Sequence, residues 1–326
     1  MNKFVFTCGD VNGIGPEICV KTFNKVYNPK RSKLIFCCPK NVFIDELTNI
    51  TPNFQFEILK KKEKISGNAE IISVIDIGNT NRKIGKPTFS SGKTSYKSIE
   101  HSLKLINNKS ADAVITAPIS KTAFKLAKIE FPGHTELLAD WFKSKSYLML
   151  FYSKELTCSL VTIHEPLKKV SLLLTKNKIV KTIQLTKNSL INDFKTNNPK
   201  IAVLGFNPHA GENGRIGDEE LTKIIPAIES FNDENVQGPF VPDAFFANRL
   251  YKKFDCFIAM YHDQALIPFK MMNFEKGVNF TAGLPIVRTS PDHGTAFDIA
   301  GKNTADASSM IEAFKTAEKI QTNRSR

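Results

Sequence analysis

Short apolar runs recur along this chain, and most of them end in a polar or glycine-containing turn. Runs of four to eight apolar residues are typical of buried strands, whereas apolar positions three to four residues apart are typical of helices. The pattern predicts strands at residues 4–6, 34–38, 54–59, 71–77, 113–116, 148–152, 157–163, 201–206 and 257–260. It predicts helices from Pro16, at 95–107, 137–142 and 176–193, and from Pro242. This alternation indicates an α/β fold with a largely parallel sheet.

The densest group of reactive side chains lies in residues 260–302, which follow the last of these apolar runs. The run at 257–260 leads into Tyr261-His262-Asp263-Gln264, which we interpret as a buried strand ending in a polar turn. Ligands in open α/β sheets bind beyond the carboxyl ends of the strands. The segment therefore predicts a ligand site, and a solvated surface loop is the less favoured interpretation.

Three histidines share one position relative to the predicted strands. His164, His209 and His262 each come shortly after a buried run, so the three side chains are expected to meet at one edge of the sheet. Neutral imidazoles suit zinc, cobalt, nickel or iron(II) and suit magnesium poorly. Three protein ligands also leave a coordination position for substrate or water. The pattern favours a divalent metal site over three structural histidines, with Glu165, Asp243 and Asp263 as residues that orient the ligands.

Three other segments resemble phosphate-binding loops. Residues 9–17 join the first strand to the first helix through three glycines, which suggests an anion or nucleotide site, but Ile18 stands where the dinucleotide fingerprint needs glycine. Residues 91–94 (Ser-Gly-Lys-Thr) resemble the end of a P-loop, but Pro87 occupies its leading glycine position. Residues 133–136 begin a predicted helix, where they either hold an anion or use Thr135 as a cap.

Composition limits the classes of protein that fit. The 326 residues suggest two domains, and the formal charge of +13 raises the question of nucleic-acid binding. The basic residues are mostly scattered lysines without interleaved aromatic residues, so a solvated basic surface that attracts a small anion is favoured. The six cysteines form no C-x-x-C pair and are expected to be reduced core residues. We find no signal peptide or membrane span and expect a cytoplasmic protein.

Several sequence motifs of this chain resemble those of a known enzyme family. The chain resembles the 4-hydroxythreonine-4-phosphate dehydrogenase family of pyridoxal phosphate biosynthesis over nearly its whole length, least so at about 21–109 and 167–200. The matching motifs are residues 9–17, Pro132-Gly133-His134-Thr135-Glu136, Asn207-Pro208-His209-Ala210-Gly211-Glu212, Tyr261-His262-Asp263-Gln264, Val278-Asn279, Gly283-Leu284-Pro285, Arg288-Thr289-Ser290 and Asp292-His293-Gly294-Thr295-Ala296.

The resemblance implies roles for individual residues. It implies a divalent ion, zinc, cobalt or similar, on His164, His209 and His262. It implies a cofactor loop, similar to the adenosine-binding loop of isocitrate and isopropylmalate dehydrogenases, with Gly294, Thr295 and Asp298. Substrate would be bound by His134, Thr135, Lys270, Asn279 and Arg288, with Lys270 and Arg288 supplying charge for a phosphate. The chain departs from the family pattern at Val11-Asn12, Ala117, Ser120 and Ala265.

The resemblance also implies an architecture. We expect a two-domain α/β/α protein with a shared mixed sheet, similar to isocitrate and isopropylmalate dehydrogenases. A nucleotide-binding-like domain would comprise residues 1–122 and 272–326, and a metal-, substrate- and dimer-forming domain residues 123–271. The family implies a homodimer with a shared active site.

The implied reaction is the NAD- or NADP-dependent oxidation of 4-phosphooxy-L-threonine, a small phosphorylated hydroxy-amino acid. Its 3-keto product loses carbon dioxide to give 3-amino-2-oxopropyl phosphate. A divalent metal lowers the pKa of a bound hydroxyl, and the nicotinamide accepts the hydride. Asp243, Asp263, Lys121 or water remain alternatives for the general base.

Three alternative functions remain open at this point. A related dehydrogenase of a phosphorylated threonate or erythronate would use the same metal and phosphate residues. A metal-dependent hydrolase would use the histidines to activate water and would bind no nicotinamide. A nucleic-acid-binding protein would show steeply salt-dependent binding, but we expect neither a nucleic acid nor a membrane as partner.

Overall fold

A computed structural model describes residues 1–273 and 275–325. The chain divides into two compact units. Unit 1 comprises Met1–Ser144 and Leu284–Thr322, and unit 2 comprises Lys145–Gly283 and the segment from Asn323. The sequence predicted that the chain passes from one domain to the other earlier, after residues 122 and 271. In the structure both boundaries lie later in the chain. Residues 121–141 still pack in unit 1, and the strand at Val278–Ala282 pairs with Leu148–Tyr152 of unit 2.

In the described residues the strands, in chain order, are β1 (Asn2–Thr7), β2 (Ser32–Cys38), β3 (Gln55–Lys60), β4 (Ile71–Asp76), β5 (Ala113–Ile115), β6 (Leu148–Tyr152), β7 (Thr157–Leu160), β8 (Ile201–Leu204), β9 (Val236–Phe240), β10 (Cys256–Ala259), β11 (Val278–Ala282) and β12 (Val287–Pro291). The α-helices are α1 (Gly15–Val26), α2 (Lys40–Leu47), α3 (Phe89–Asn107), α4 (Lys121–Leu126), α5 (His134–Trp141), α6 (Leu167–Leu173), α7 (Lys176–Asn192), α8 (Ile225–Glu229), α9 (Pro242–Ala247), α10 (His262–Asn273) and α11 (Ser308–Arg324).

Unit 1 contains parallel strands in the order β3-β4-β2-β1-β5-β12. Every residue of β2, β5 and β12 is buried, and β1 and β4 are mostly buried, as expected where helices cover both faces of a parallel sheet, whereas the edge strand β3 is only partly buried. Aromatic rings fill one side of the core, where Phe23 of α1 packs edge-on against Phe6 and Phe36, and Phe314 of α11 packs against Phe4 and Phe6. Burial of these large side chains holds the first and last segments of the chain in one unit.

Unit 2 contains strands in the order β11-β6-β7-β10-β8-β9. Strand β6 runs antiparallel to β11 and β7, and the remaining neighbours are parallel. Alternate residues of β8 enter different cores: Ile201 and Val203 pack with α7, and Ala202 and Leu204 pack with the α9–α10 side. Both faces of β8 are therefore buried, which explains why this strand is a continuous apolar run in the sequence.

Most predicted elements are confirmed, and the α/β class with mixed strand directions is correct. Residues 91–94 lie inside α3, which begins at a capping box on Thr88, so they are not a phosphate loop. The predicted turn at Tyr261–Gln264 was wrong, because α10 begins at His262. All six cysteines are buried free thiols, as predicted. No α-helix in the described part of the chain is both long and apolar enough to cross a membrane.

The anion site suggested for the glycine loop after β1 stays a prediction, and the structure shows how this loop is held. Several of its amide groups donate hydrogen bonds within the protein: Asp10 N–H to the Pro118 carbonyl, Asn12 N–H to the Asp10 carboxylate, and Ile14 N–H to the Thr295 carbonyl. A Cβ on Gly13 would lie 2.6 Å from the Thr295 oxygen. The loop therefore needs glycine so that the backbone of the Thr295 segment can pack closely against it.

Candidate active site

The three predicted metal ligands follow three neighbouring strands of unit 2. Strand β10 lies between β7 and β8, and all three are parallel, so their carboxyl ends lie at the same edge of the sheet. His164 follows β7, His262 follows β10 and His209 follows β8. The prediction that the three strands preceding these histidines end at one edge of the sheet is therefore confirmed.

Two of these histidines are neighbours in the structure. The imidazole centres of His164 and His262 are 5.6 Å apart, with 40° between the ring planes. The Asp263 carboxylate lies 2.6 Å from Nδ1 of His262, which orients the ring and leaves Nε2 for a ligand. Because zinc–imidazole bonds are about 2.0–2.1 Å long, these two rings have room for one such ion between them. The pair fits a divalent metal that prefers nitrogen ligands.

His209 does not join this pair within the chain. Its side chain is exposed, and no group of three or more His, Cys, Asp or Glu residues close enough to hold one metal ion occurs among residues 1–273 and 275–325. The residues from His209 to Asn213 all have positive φ angles between 42° and 77°, so they form a left-handed turn after β8. The structure thus shows two of the three predicted ligands together.

The left-handed turn is energetically unfavourable by itself. Four of its residues carry a Cβ, namely His209, Ala210, Glu212 and Asn213. Left-handed helical geometry costs roughly 1–2 kcal/mol for each such residue, with a smaller cost for asparagine. A run of this kind persists only where the surrounding structure fixes it, and such runs cluster at functional sites.

Unit 1 carries the other charged group, centred on Arg288 of β12. The side chain is only 2% exposed, and its Nε and Nη2 donate to the Thr116 hydroxyl at 3.1 and 2.8 Å. Burial lowers the pKa of Arg288 to about 10, although the nearby Glu136 carboxylate opposes this shift. A buried guanidinium that remains charged is a strong binding group for a phosphate or carboxylate.

The start of α5 lies beside this arginine. The helix begins after Gly133, no side chain caps its first turn, and His134 is its first residue. The alternative in which Thr135 caps the helix was therefore wrong, since Thr135 lies buried inside the first turn. Burial, and secondarily the charge of Arg288, hold the pKa of His134 well below its usual value, so its imidazole is neutral near pH 7.

Two enclosed polar atoms of predicted substrate residues make no hydrogen bond within the described residues: His134 Nε2 in unit 1 and Asn279 Oδ1 in unit 2. Leaving a buried polar atom unpaired costs about 1–3 kcal/mol, so each such atom calls for an explanation. A bound ligand would supply the missing partner. Lys270, the last predicted substrate residue, is half-buried in the last turn of α10.

The predicted cofactor loop lies in unit 1 against the glycine loop. The Thr295 carbonyl accepts from Ile14 N–H at 3.0 Å, which fixes the loop at its centre. Gly294 is exposed, and a Cβ placed on it would meet no protein atom within 4 Å. Asp298 is also exposed, so its carboxylate is accessible, as ribose binding would require. The loop combines fixed backbone with open space, which suits a nucleotide.

The candidates for the general base differ in their surroundings. Asp263 is engaged with His262, so its carboxylate orients that ring. Asp243, in the first turn of α9, and Lys121, at the start of α4, are both exposed. Two residues that flank Arg288, Thr116 and Glu136, were not among the predicted site residues. The only sequence signal for Thr116 is its place at the end of an apolar run.

Comparisons with known proteins identify relatives of this chain. Residues 30–317 match the family described as pyridoxal phosphate biosynthetic protein PdxA. The chain is 41% identical to the 4-hydroxythreonine-4-phosphate dehydrogenase of Sulfurihydrogenibium sp. over 97% of this chain and 98% of that protein. It is 40% identical to the enzyme of that name from Aquifex aeolicus, over 98% and 99% of the two chains.

A solved structure supports the same conclusion. The crystal structure of 4-hydroxythreonine-4-phosphate dehydrogenase from Klebsiella pneumoniae superposes with a TM-score of 0.83 at 34% identity, covering 98% of this chain and all of the other. The fold, the site and these relatives define an α/β dehydrogenase that acts on a CH–OH group, a class that uses a nicotinamide cofactor. Within that class, the chain belongs to the PdxA family of pyridoxal phosphate biosynthesis.

The neutral state of His134 has a consequence for stability. Because its pKa is lowered in the folded chain, the unfolded chain takes up a proton first as the pH falls below about 6.5. The stabilisation is complete above that pH and is lost as the pH falls towards the lower folded pKa. We expect the unfolding free energy of His134→Gln to fall less steeply with decreasing pH than that of the wild type, by at most about 1.4 kcal/mol per pH unit. Urea unfolding of both proteins between pH 7.5 and 5.5 measures this difference. If the two unfolding free energies changed equally with pH, the prediction would be contradicted.

Proposed function

We propose that the chain oxidises 4-phosphooxy-L-threonine to the 3-keto acid that decarboxylates to 3-amino-2-oxopropyl phosphate. The observation that carries this proposal is the buried Arg288 beside the enclosed, unpaired Nε2 of His134 at the start of α5. That arrangement suits a phosphate, because the guanidinium supplies charge and the neutral imidazole donates a hydrogen bond. The match to curated 4-hydroxythreonine-4-phosphate dehydrogenases over nearly the full chain supports this choice of substrate.

Other residues bind the remaining parts of the substrate. Lys270 supplies a second positive charge, Thr135 a hydroxyl group, and Asn279 an amide whose enclosed Oδ1 accepts from a substrate N–H or O–H group. Asp263 holds the His262 ring through Nδ1. Enclosure of His134 and Arg288 excludes water from the phosphate and strengthens each hydrogen bond to it.

A divalent metal, zinc or cobalt, and NAD or NADP complete the proposal. His164, His209 and His262 would hold the metal, and Gly294, Thr295 and Asp298 the nicotinamide cofactor. When bound, the metal lowers the pKa of the substrate hydroxyl and the nicotinamide accepts hydride. Asp243 and Lys121 remain candidates for the base that removes the hydroxyl proton, since both are exposed and Asp263 is engaged with His262.

We also propose a homodimer that completes the metal site. One chain provides the paired His164 and His262 but leaves His209 apart from them, so the third ligand would come from a second copy. Exposed apolar side chains on α10 are suited to such an interface: Ile267 is 61% and Met271 82% exposed, and the two are four residues apart on one helix face.

Turnover assays test the activity directly. The purified protein, loaded with zinc or cobalt, is expected to reduce NAD or NADP with 4-phosphooxy-L-threonine and to release carbon dioxide. Phosphorylated threonate and erythronate should turn over at least tenfold more slowly, because each lacks the amino group. Faster turnover of either acid would reassign the substrate, and failure to bind any nicotinamide would point to a metal-dependent hydrolase.

A further inference from the structure

We propose that Glu220 is a positioning residue that holds the left-handed turn bearing His209 in the conformation needed for metal binding. The inference rests on the proposed function, in which His209 is a metal ligand. Glu220 itself touches neither substrate nor metal in this proposal. It acts through the backbone of the turn.

Glu220 is a buried carboxylate whose hydrogen bonds all go to the segment leading into the turn. It is 2% exposed and begins a short π-helical segment, Glu220–Ile224. Its Oε1 accepts the backbone N–H groups of Phe206 and Asn207, both at 2.7 Å. Its Oε2 accepts from the Asn207 side-chain amide at 2.8 Å. These bonds fix Phe206 and Asn207, which lie just before Pro208 and the turn, and give a buried negative charge three donors.

The turn is shaped around this carboxylate. A Cβ on Gly211, whose φ is +77°, would lie 2.7 Å from Oε2 of Glu220. A Cβ on Gly205 would lie 3.2 Å from Oε1. Glycine at position 211 therefore lets the backbone approach both the carboxylate and the Gly217 carbonyl, and glycine at position 205 leaves room for Ala210 as well as for the carboxylate. The closeness explains how a strained run of left-handed residues persists in an exposed segment.

A second side chain links the same segment to the strand before His262. Gln264 donates from Nε2 to the Gly205 carbonyl at 2.7 Å, and its Oε1 accepts the Met260 N–H at 2.7 Å. The carboxyl ends of β8 and β10 are therefore held together by one amide. Glu220 accepts from the next two residues, Phe206 and Asn207. The segment between β8 and His209 is therefore hydrogen-bonded both to α10 and to the π-helical segment.

The geometry requires a carboxylate rather than an amide. In Glu220→Gln, one of the two oxygens becomes an NH₂ group. That group faces either the Asn207 amide donor or the two backbone N–H groups, so at least one pair of donors meets inside the protein. Because the side chain keeps its shape, the fold should survive while the turn loosens.

Cobalt titration of the metal-free protein provides the test. We expect Glu220→Gln to weaken cobalt binding by about 10–100-fold, the range seen when a residue that orients a metal ligand is removed. Activity at saturating cobalt should approach that of the wild type, because His209 still reaches the metal once enough is supplied. Hydrogen exchange at residues 206–216 of the metal-free variant should be faster. Glu229→Gln, at an exposed glutamate on α8, is the matched control and should change none of these.

Gly211→Ala is a second variant that disturbs the same contact from the side of the turn. It should weaken cobalt binding in the same way, although the glutamate at position 220 is kept. Unchanged cobalt affinity in both variants would overturn the positioning role and leave the proposed function intact. A wild-type protein that binds no cobalt would instead overturn the proposed metal function, and the role of Glu220 with it.

Discussion

His209→Ala and His262→Ala are each expected to reduce turnover by about a thousandfold or more. A metal that stabilises charge in the transition state contributes several kcal/mol, and about 4 kcal/mol corresponds to a thousandfold. When the two inactive proteins are mixed and exchange subunits, activity should return. If the paired His164 and His262 of one chain use His209 of another, each mixed dimer has one intact site, so about a quarter of wild-type activity is expected at equal mixing.

The mixing experiment has an internal control. His164 and His262 are neighbours on one chain, 5.6 Å apart, so His164→Ala mixed with His262→Ala should recover nothing, since every site would lack one of the pair. Mass spectrometry of differently labelled chains shows that exchange has occurred. No recovery with His209→Ala and His262→Ala, despite exchange, would place all three ligands on one chain. Full activity of the wild type after chelation would reject the metal itself.

Much of the fold could be predicted because its physical cause is local. Strands buried on both faces are short continuous apolar runs, so β1, β2, β8 and β10 were found within one or two residues. Pro16 and Glu17 marked the start of α1 for a similarly local reason. The unit boundaries were placed too early because they depend on pairing between distant segments, such as β6 with β11, which local periodicity does not report.

The candidate site was predictable in part. Strand order makes the segments carrying His164, His209 and His262 share an edge, and a histidine after an apolar run is visible in the sequence. The left-handed turn that carries His209 was not predicted, because four of its residues carry a Cβ and its support comes from Glu220, which follows it in the chain. The glycine loop has a packing role that its sequence did not reveal, since close packing against Thr295 and anion binding require glycine equally.

Arg288→Met is expected to raise the KM for the phosphorylated substrate by roughly tenfold or more and to leave kcat nearly unchanged. A hydrogen bond to a charged group contributes about 1.5–3 kcal/mol, and a contact made equally in the ground and transition states changes KM alone. Lys270→Met should act in the same direction. Arg31→Met is the matched control, because Arg31 is an exposed arginine of the same unit, with 69% of its side chain accessible, and it pairs with Glu318.

The same substitution has a second readout that does not depend on turnover. The charge of Arg288 helps to lower the pKa of His134, so the pKa of His134 should rise in Arg288→Met, as measured by NMR titration of its imidazole. Arg288→Lys keeps the charge but loses the planar fork, so the pKa of His134 should stay low while KM still rises. If KM is unchanged in Arg288→Met and Lys270→Met, the phosphate is bound elsewhere. If the pKa of His134 alone changes, Arg288 holds the imidazole neutral without binding the substrate.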